Sequence, residues 1–259
     1  MPAADEGVTI AARDANGTCT FFSGDRHLCA IHSAGGQAAL PLTCRMFPRV
    51  VLHDARGTFV SLSHFCPTAA ALLFEPSGSE TPVAIVDAPD TLIDVGPLDG
   101  LDAREAWPPL LGPGVLMDLE SYTAWERLAI ELLTRPGIAA RTSLDALAIA
   151  TAGLARWTPG ATPLDHAVRD AFSTIAPPTD LLDPHEAALK RWLAARLFGA
   201  WIAYQGDGVE TTVRYLRTCL DTFTRELTLD ANPLEAIRRS DLRIVHEADS
   251  QQLANSLRT

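Results

Sequence analysis

The sequence predicts a mostly α protein: an N-terminal cysteine-cluster region with a small β-hairpin, packed on a C-terminal α-helical bundle. Three observations predict it. Four of the five cysteines fall between Cys19 and Cys66. Two strand-like runs flank one short polar turn inside that stretch, and from Glu120 onward apolar residues recur at steps of three and four. The pattern divides the chain into a metal-binding cysteine-cluster region over residues 1–76, a proline-rich structured connector over 77–118 and the bundle over 119–259.

In chain order, Val8–Ala12 reads as a short strand or an arm leading into the cluster. Ala30–Ala39 reads as a short helix, interrupted at Gly35-Gly36 and stopped before Pro41. Arg49–His53 and Thr58–Leu62 flank Asp54-Ala55-Arg56-Gly57, so a hairpin follows, one that brings Cys44 and Cys66 towards each other from its two ends. Cys66 precedes a helix opened by Pro67 at its first position. From Pro76 to Pro113 recurrent prolines break any long helix, and Val83–Val86 is a candidate strand.

The rest is helical. Glu120–Thr134 carries Trp125, Leu128 and Leu132 on one face, and Ser143–Trp157 is rich in Ala and Leu. Asp183-Pro184-His185-Glu186 is a start signal, with Asp183 as cap, for a helix whose stripe runs from Leu189 to Tyr204. Val213, Leu216, Leu220, Phe223 and Leu227 form a second stripe, and a last helix starts at Pro233.

The chemistry lies in the thiols. Cys19, Cys29, Cys44 and Cys66 are separated by nine, fourteen and twenty-one residues, and four thiolates satisfy either tetrahedral zinc or a 4Fe–4S iron–sulfur cluster. Cys66, ahead of a helix, lies where the helix dipole favours the thiolate. His32, His53 and His64 share the segment and can replace a thiolate, His64 being the best spare. Arg45 and Arg49 either bind a carboxylate, offset an anionic cluster or make ion pairs. His32, Arg45, His64 and Arg49 are therefore the candidates to surround the centre. Cys219, on the flank of a helical stripe, is expected to be a core thiol, and Tyr122, Tyr204 and Tyr215 core aromatics.

Composition narrows the function classes. A net charge of −11 argues against nucleic acid and is compatible with a cationic substrate. Residues 1–10 lack the basic and apolar parts of a signal peptide, and no apolar run approaches the roughly 20 residues needed to cross a membrane. The expected address is cytoplasmic, where disulfides are rare, which favours metal for the clustered thiols. There is no nucleotide-binding glycine loop, no G-x-S-x-G and no H-E-x-x-H.

The motif C-x-F-F…L-C-x-I-H…G…C-R-x-F-P-R…S-L-S-x-x-C-P-x-A-A, over Cys19 to Leu73, resembles the flagellin lysine N-methylase family and its zinc- or iron-chelating cysteine-cluster relatives. A weaker likeness lies around Arg196-Leu197-Phe198 and Ile237-Arg238. The family's further motif of adjacent cysteines has no counterpart in Met1–Thr18. The resemblance implies a methyltransferase that passes a methyl group from S-adenosylmethionine to an amine-bearing protein or small molecule. Cys19, Cys29, Cys44 and Cys66 would then hold a 4Fe–4S cluster that anchors or activates the donor. A non-catalytic protein with structural zinc on the same four thiols, and an iron–sulfur enzyme of other chemistry, are the alternatives.

Overall fold

A computed structural model describes residues 14, 19–24, 28–75, 83, 85–87, 100–248 and 250–257. The Val8–Ala12 stretch lies outside the described residues. The protein is mostly α, about 55% helical, with small sheets. It forms two compact units, residues 1–47 and 48–259.

In the first unit, β1 (Phe22–Ser23) pairs antiparallel with β2 (Leu28–Cys29), Phe22 opposite Cys29. Helix α1 (Ala30–Gly35) follows directly and gives way at Gly36, φ 68°, to a 3₁₀ turn over Gln37–Ala39. The double glycine therefore breaks the helix as its sequence implies. Helix α2 (Leu42–Met46) begins after Pro41.

The second unit opens with the hairpin. Strand β3 (Arg49–Asp54) pairs antiparallel with β4 (Gly57–Leu62), from Arg49 opposite Leu62 to Asp54 opposite Gly57. The Ser63 amide closes the base on the Pro48 carbonyl at 2.7 Å. Helix α3 (Pro67–Leu72) starts at its proline. A short strand β5 (Leu101–Asp102) adds parallel to β3, and β6 (Leu110–Gly112) turns back on β7 (Val115–Leu116). The expected strand at Val83–Val86 is not formed: Val83 and Ile85–Asp87 carry no strand pairing, and Ala84 lies outside the described residues.

Helices α4 (Leu119–Thr134), α5 (Ala140–Leu154), α6 (Leu164–Ser173), α7 (Glu186–Leu197), α8 (Val209–Leu229), α9 (Pro233–Asp241) and α10 (Ser250–Ser256) build the bundle. Asp118 caps α4 by accepting from the Ser121 amide at 2.8 Å, and Asn232 caps α9 ahead of Pro233. Trp125, Trp192, Leu193, Leu197 and Leu216 are fully buried where α4, α7 and α8 meet. Each such side chain contributes about 1.5–3 kcal/mol by leaving water.

Two expectations fail in α7. Asp183 does not cap it: His185 stands at that position, and Asp183 instead contributes its carbonyl to a turn closed by the Glu186 amide. The helix also ends at Leu197 instead of running to Tyr204. Gly199 takes φ 58°, which a side chain would resist, and its amide donates to Glu126 Oε1 at 3.1 Å. Trp201–Tyr204 then form a separate 3₁₀ turn. The α6 helix went unmarked in the sequence, between Pro163 and the loop that carries Pro177-Pro178.

Candidate functional site

The cysteine motif ends in a tightly held segment. Just past the hairpin, Ser63, His64, Phe65 and Cys66 lead into α3, with the Cys66 amide donating to the Ser63 carbonyl at 3.3 Å. Cys66 itself stands at the cap position of that helix. This run carries backbone polar groups that no strand satisfies, so side chains from the bundle satisfy them.

Asp241, the last residue of α9, is the centre of that arrangement and is wholly buried. Its Oδ2 accepts from Ser63 Oγ at 2.9 Å and from the Phe65 amide at 3.3 Å. Its Oδ1 accepts from the Trp192 indole at 3.0 Å and lies 3.4 Å from the Arg196 guanidinium. Arg196 also donates to the Leu62 carbonyl at 2.5 Å, and Arg238 donates to the Phe65 carbonyl at 3.2 Å while lying over the Phe65 ring. Trp192 and Arg196 of α7 and Arg238 and Asp241 of α9 thus form the network that holds the Leu62–Phe65 run leading into Cys66. Burial pushes the Asp241 carboxyl up, but Arg196 and the hydrogen bonds from Trp192 and Ser63 outweigh it and hold the group below its ordinary range.

Ser63 Oγ also lies 2.7 Å from Nε2 of His246, on a π-helical turn over Leu242–Glu247. Serine has one proton and Asp241 takes it, so the His246 ring is the donor in that contact. The order of groups is therefore not that of an activated nucleophile, in which the imidazole accepts the hydroxyl proton. Ser63 is 1% exposed, which suits an anchor.

His64, next along the chain, is buried, with Nδ1 unpartnered. Burial first, then the neighbouring Arg196 charge, lower its pKa to about 4, against the opposing pull of Asp241. Burial also lowers His246, with Asp241 opposing and Arg196 adding.

A second buried polar cluster locks the tip of the hairpin. Arg56 pairs with Asp54 at 2.8 Å and with Glu126 of α4 at 2.9 Å. Its guanidinium is sandwiched between Phe59 and Tyr122, 4.4 and 4.5 Å from the ring centres. Tyr204 donates to Asp54 at 2.5 Å. Burial raises the Glu126 pKa even though Arg56 pulls it down.

The sequence-derived ligands are distributed as follows. Cys19, Cys29 and Cys44 lie in the first unit and Cys66 in the second. The Cys19 carbonyl accepts from the Phe22 amide at 2.9 Å, Cys29 ends β2 and stands at the cap of α1, and Cys44 is exposed on α2. All are unbridged thiols. His32 is exposed on α1, Arg45 ends α2 half-buried, and Arg49 opens β3. His53 pairs across the hairpin with Thr58 at 2.9 Å. Cys219 is fully buried beside Tyr215 on α8, and burial pushes its thiol up to about 12. Four thiols are the right donor chemistry for zinc or a cluster. Among the described residues, however, no group of three or more His, Cys, Asp or Glu side chains is gathered so as to hold a metal ion, and no chemical step is derived through one.

Asp241, Ser63 and Arg56 were not singled out as candidates in the sequence. One signal for Asp241 was present. It lies four residues after Ile237 and three before Ile244, both buried, so a carboxylate stands on the apolar stripe of its own helix.

No protein-family model, curated protein or solved structure matches the chain.

Proposed function

We propose that the chain is a metal- or iron–sulfur-dependent methyltransferase similar to the flagellin lysine N-methylases. In this reading it acts in the cytoplasm and transfers a methyl group from S-adenosylmethionine to an amine of a protein or small molecule. Cys19, Cys29, Cys44 and Cys66 are the ligands of its 4Fe–4S cluster or zinc. The supporting observation is the anchorage of Cys66. The two parts of the chain that carry the family likeness, the S-L-S-H-F-C-P run and the residues around Arg196 and Arg238, meet through the Leu62 and Phe65 carbonyls. With the backbone just ahead of Cys66 held in this way, less order remains to be imposed when a ligand binds. The net charge of −11 suits a cationic amine acceptor.

Anaerobic purification followed by iron, sulfide and zinc analysis tests this. About four irons and four sulfides per chain, with a brown colour lost in Cys66→Ser, is the expected result. Labelled methyl groups from S-adenosylmethionine should then reach lysine-bearing acceptors with the wild type only. One zinc per chain, colourless and without transfer, would replace this reading with a structural zinc site. No metal at all would remove both.

A further inference from the structure

Of the 21 Lys and Arg side chains in the sequence a single one is a lysine, Lys190 of α7. It is 5% exposed. Its Nζ donates to the Arg135 carbonyl at 2.5 Å and to the Ile138 carbonyl at 2.8 Å, so two of its three protons go to the turn that follows α4. A cation there also meets the negative end of the α4 dipole. The same turn, residues 135–139, takes further partners from the chain just ahead of Lys190. The Ala139 amide donates to Asp180 Oδ2 and the Ala140 amide to Glu186 Oε2, both at 2.8 Å. The Asp180 amide in turn donates to the Gly137 carbonyl at 2.9 Å.

We propose that Lys190 is a latent modification site, closed to acyl donors while this turn is formed and opened only when the turn parts from α7. Acylation needs the nitrogen lone pair free of its proton and facing an acyl carbon, with room for the donor beside it. In the closed form two carbonyls hold the ammonium, and burial leaves no such room. Once the turn opens, the neutral amine attacks an activated ester. The N–C bond forms, the ester C–O bond breaks, the oxygen leaving group departs with the electron pair, and the displaced protons pass to water. The resulting amide has one N–H and no charge, so it cannot hold both carbonyls again. Modification therefore traps the open turn. Resting on the methyltransferase reading, the closed amine also means that the folded chain is not its own lysine acceptor, and that the amine comes from a second molecule.

The test treats the full chain with the N-hydroxysuccinimide ester of acetic acid and follows Lys190 by peptide mass spectrometry. No metal or methyl donor takes part, so its outcome is separate from that of the methyltransferase reading. Labelling of the folded chain should be at least about a hundredfold slower than in denaturing guanidinium chloride. Asp180→Ala, which frees the Ala139 amide, should speed labelling about tenfold with the circular dichroism unchanged. If that variant does not fold, Glu186→Ala loosens the same turn at the Ala140 amide. Chain acetylated while denatured and then refolded should unfold at a lower denaturant midpoint than unmodified chain taken through the same cycle. Folded-state labelling within about tenfold of the denatured rate would overturn the proposal. So would a slow rate that neither folded variant raises, or an acetylated chain with the unmodified midpoint.

Discussion

Ser63 and Asp241 stand 178 positions apart and are joined by a buried hydrogen bond of 2.9 Å. One end belongs to the run that leads to Cys66, the other to the end of α9. The same carboxylate reaches the Phe65 amide, the Trp192 indole and Arg196, so one side chain ties the cysteine segment to two helices of the bundle.

Asp241→Ala should therefore be among the costliest single changes in the chain. It leaves the Arg196 charge buried without its carboxylate and two donors of the Ser63–Phe65 run unpaired. Removing one partner of a buried ion pair costs about 3–5 kcal/mol. Urea unfolding would show this as a lower midpoint, and an unchanged midpoint would mean that the segment is held by other contacts.

Acid should loosen the same region. His64 has a folded pKa of about 4 against an ordinary value of 6.5, so between those values the unfolded chain binds more protons than the folded one. Stability is then fully present above about pH 6.5 and is lost as pH falls towards 4, by roughly 3 kcal/mol at most for this group. Arg196 and Asp241 face His64, and His246 shifts in the same direction. Unfolding midpoints across that range should fall more steeply for the wild type than for His64→Gln. Parallel curves would exclude His64 as the cause.

Arg56→Met should destabilise by about 3 kcal/mol or more, because Asp54 and Glu126 would be left as buried carboxylates without their shared cation. Arg56→Lys should recover little, since a single ammonium does not reproduce the fork between two carboxylates or the stacking on Phe59 and Tyr122. The Met variant should recover partly on acidification, as Glu126, whose pKa is already raised, takes up a proton. Chemical denaturation at pH 7 and pH 5 measures both effects.

Cys219→Ala should leave any metal content unchanged and cost on the order of 1 kcal/mol. The thiol is fully buried and pushed up to about 12, so it is held in the protonated form, which is a poor ligand. Metal analysis of the variant beside Cys66→Ser checks this, and loss of metal from Cys219→Ala would overturn it.

Much of the second unit was legible because its signals are local. The Asp54–Gly57 turn between two strand-forming runs specified the hairpin, although the strands extend one residue further into it, to Asp54 and Gly57. Pro67, and Asn232 with Pro233, specified helix starts through backbone groups within a few residues of themselves. The stripes on α4 and α8 specified buried faces. The candidate site was less legible. The thiols announce themselves by type and spacing, but the residues that hold Cys66 are ordinary Ser, Asp, Trp and Arg. Asp241 could have been suspected only from its place on the stripe between Ile237 and Ile244.

By itself, then, the sequence determined a mostly α chain, the positions of most helices and one hairpin, since propensity, capping and amphipathic period are properties of neighbouring residues. Tertiary structure alone decided where α7 stops, that β5 joins β3, that Arg56 is buried, and that Asp241 anchors the Ser63–Cys66 run. Each of these depends on a partner far along the chain: Glu126 for Gly199 and Arg56, Leu52 for Leu101, Ser63 for Asp241. The free energy of a buried hydrogen bond or ion pair depends on the geometry and desolvation of both partners, which exist only once the chain has brought them together.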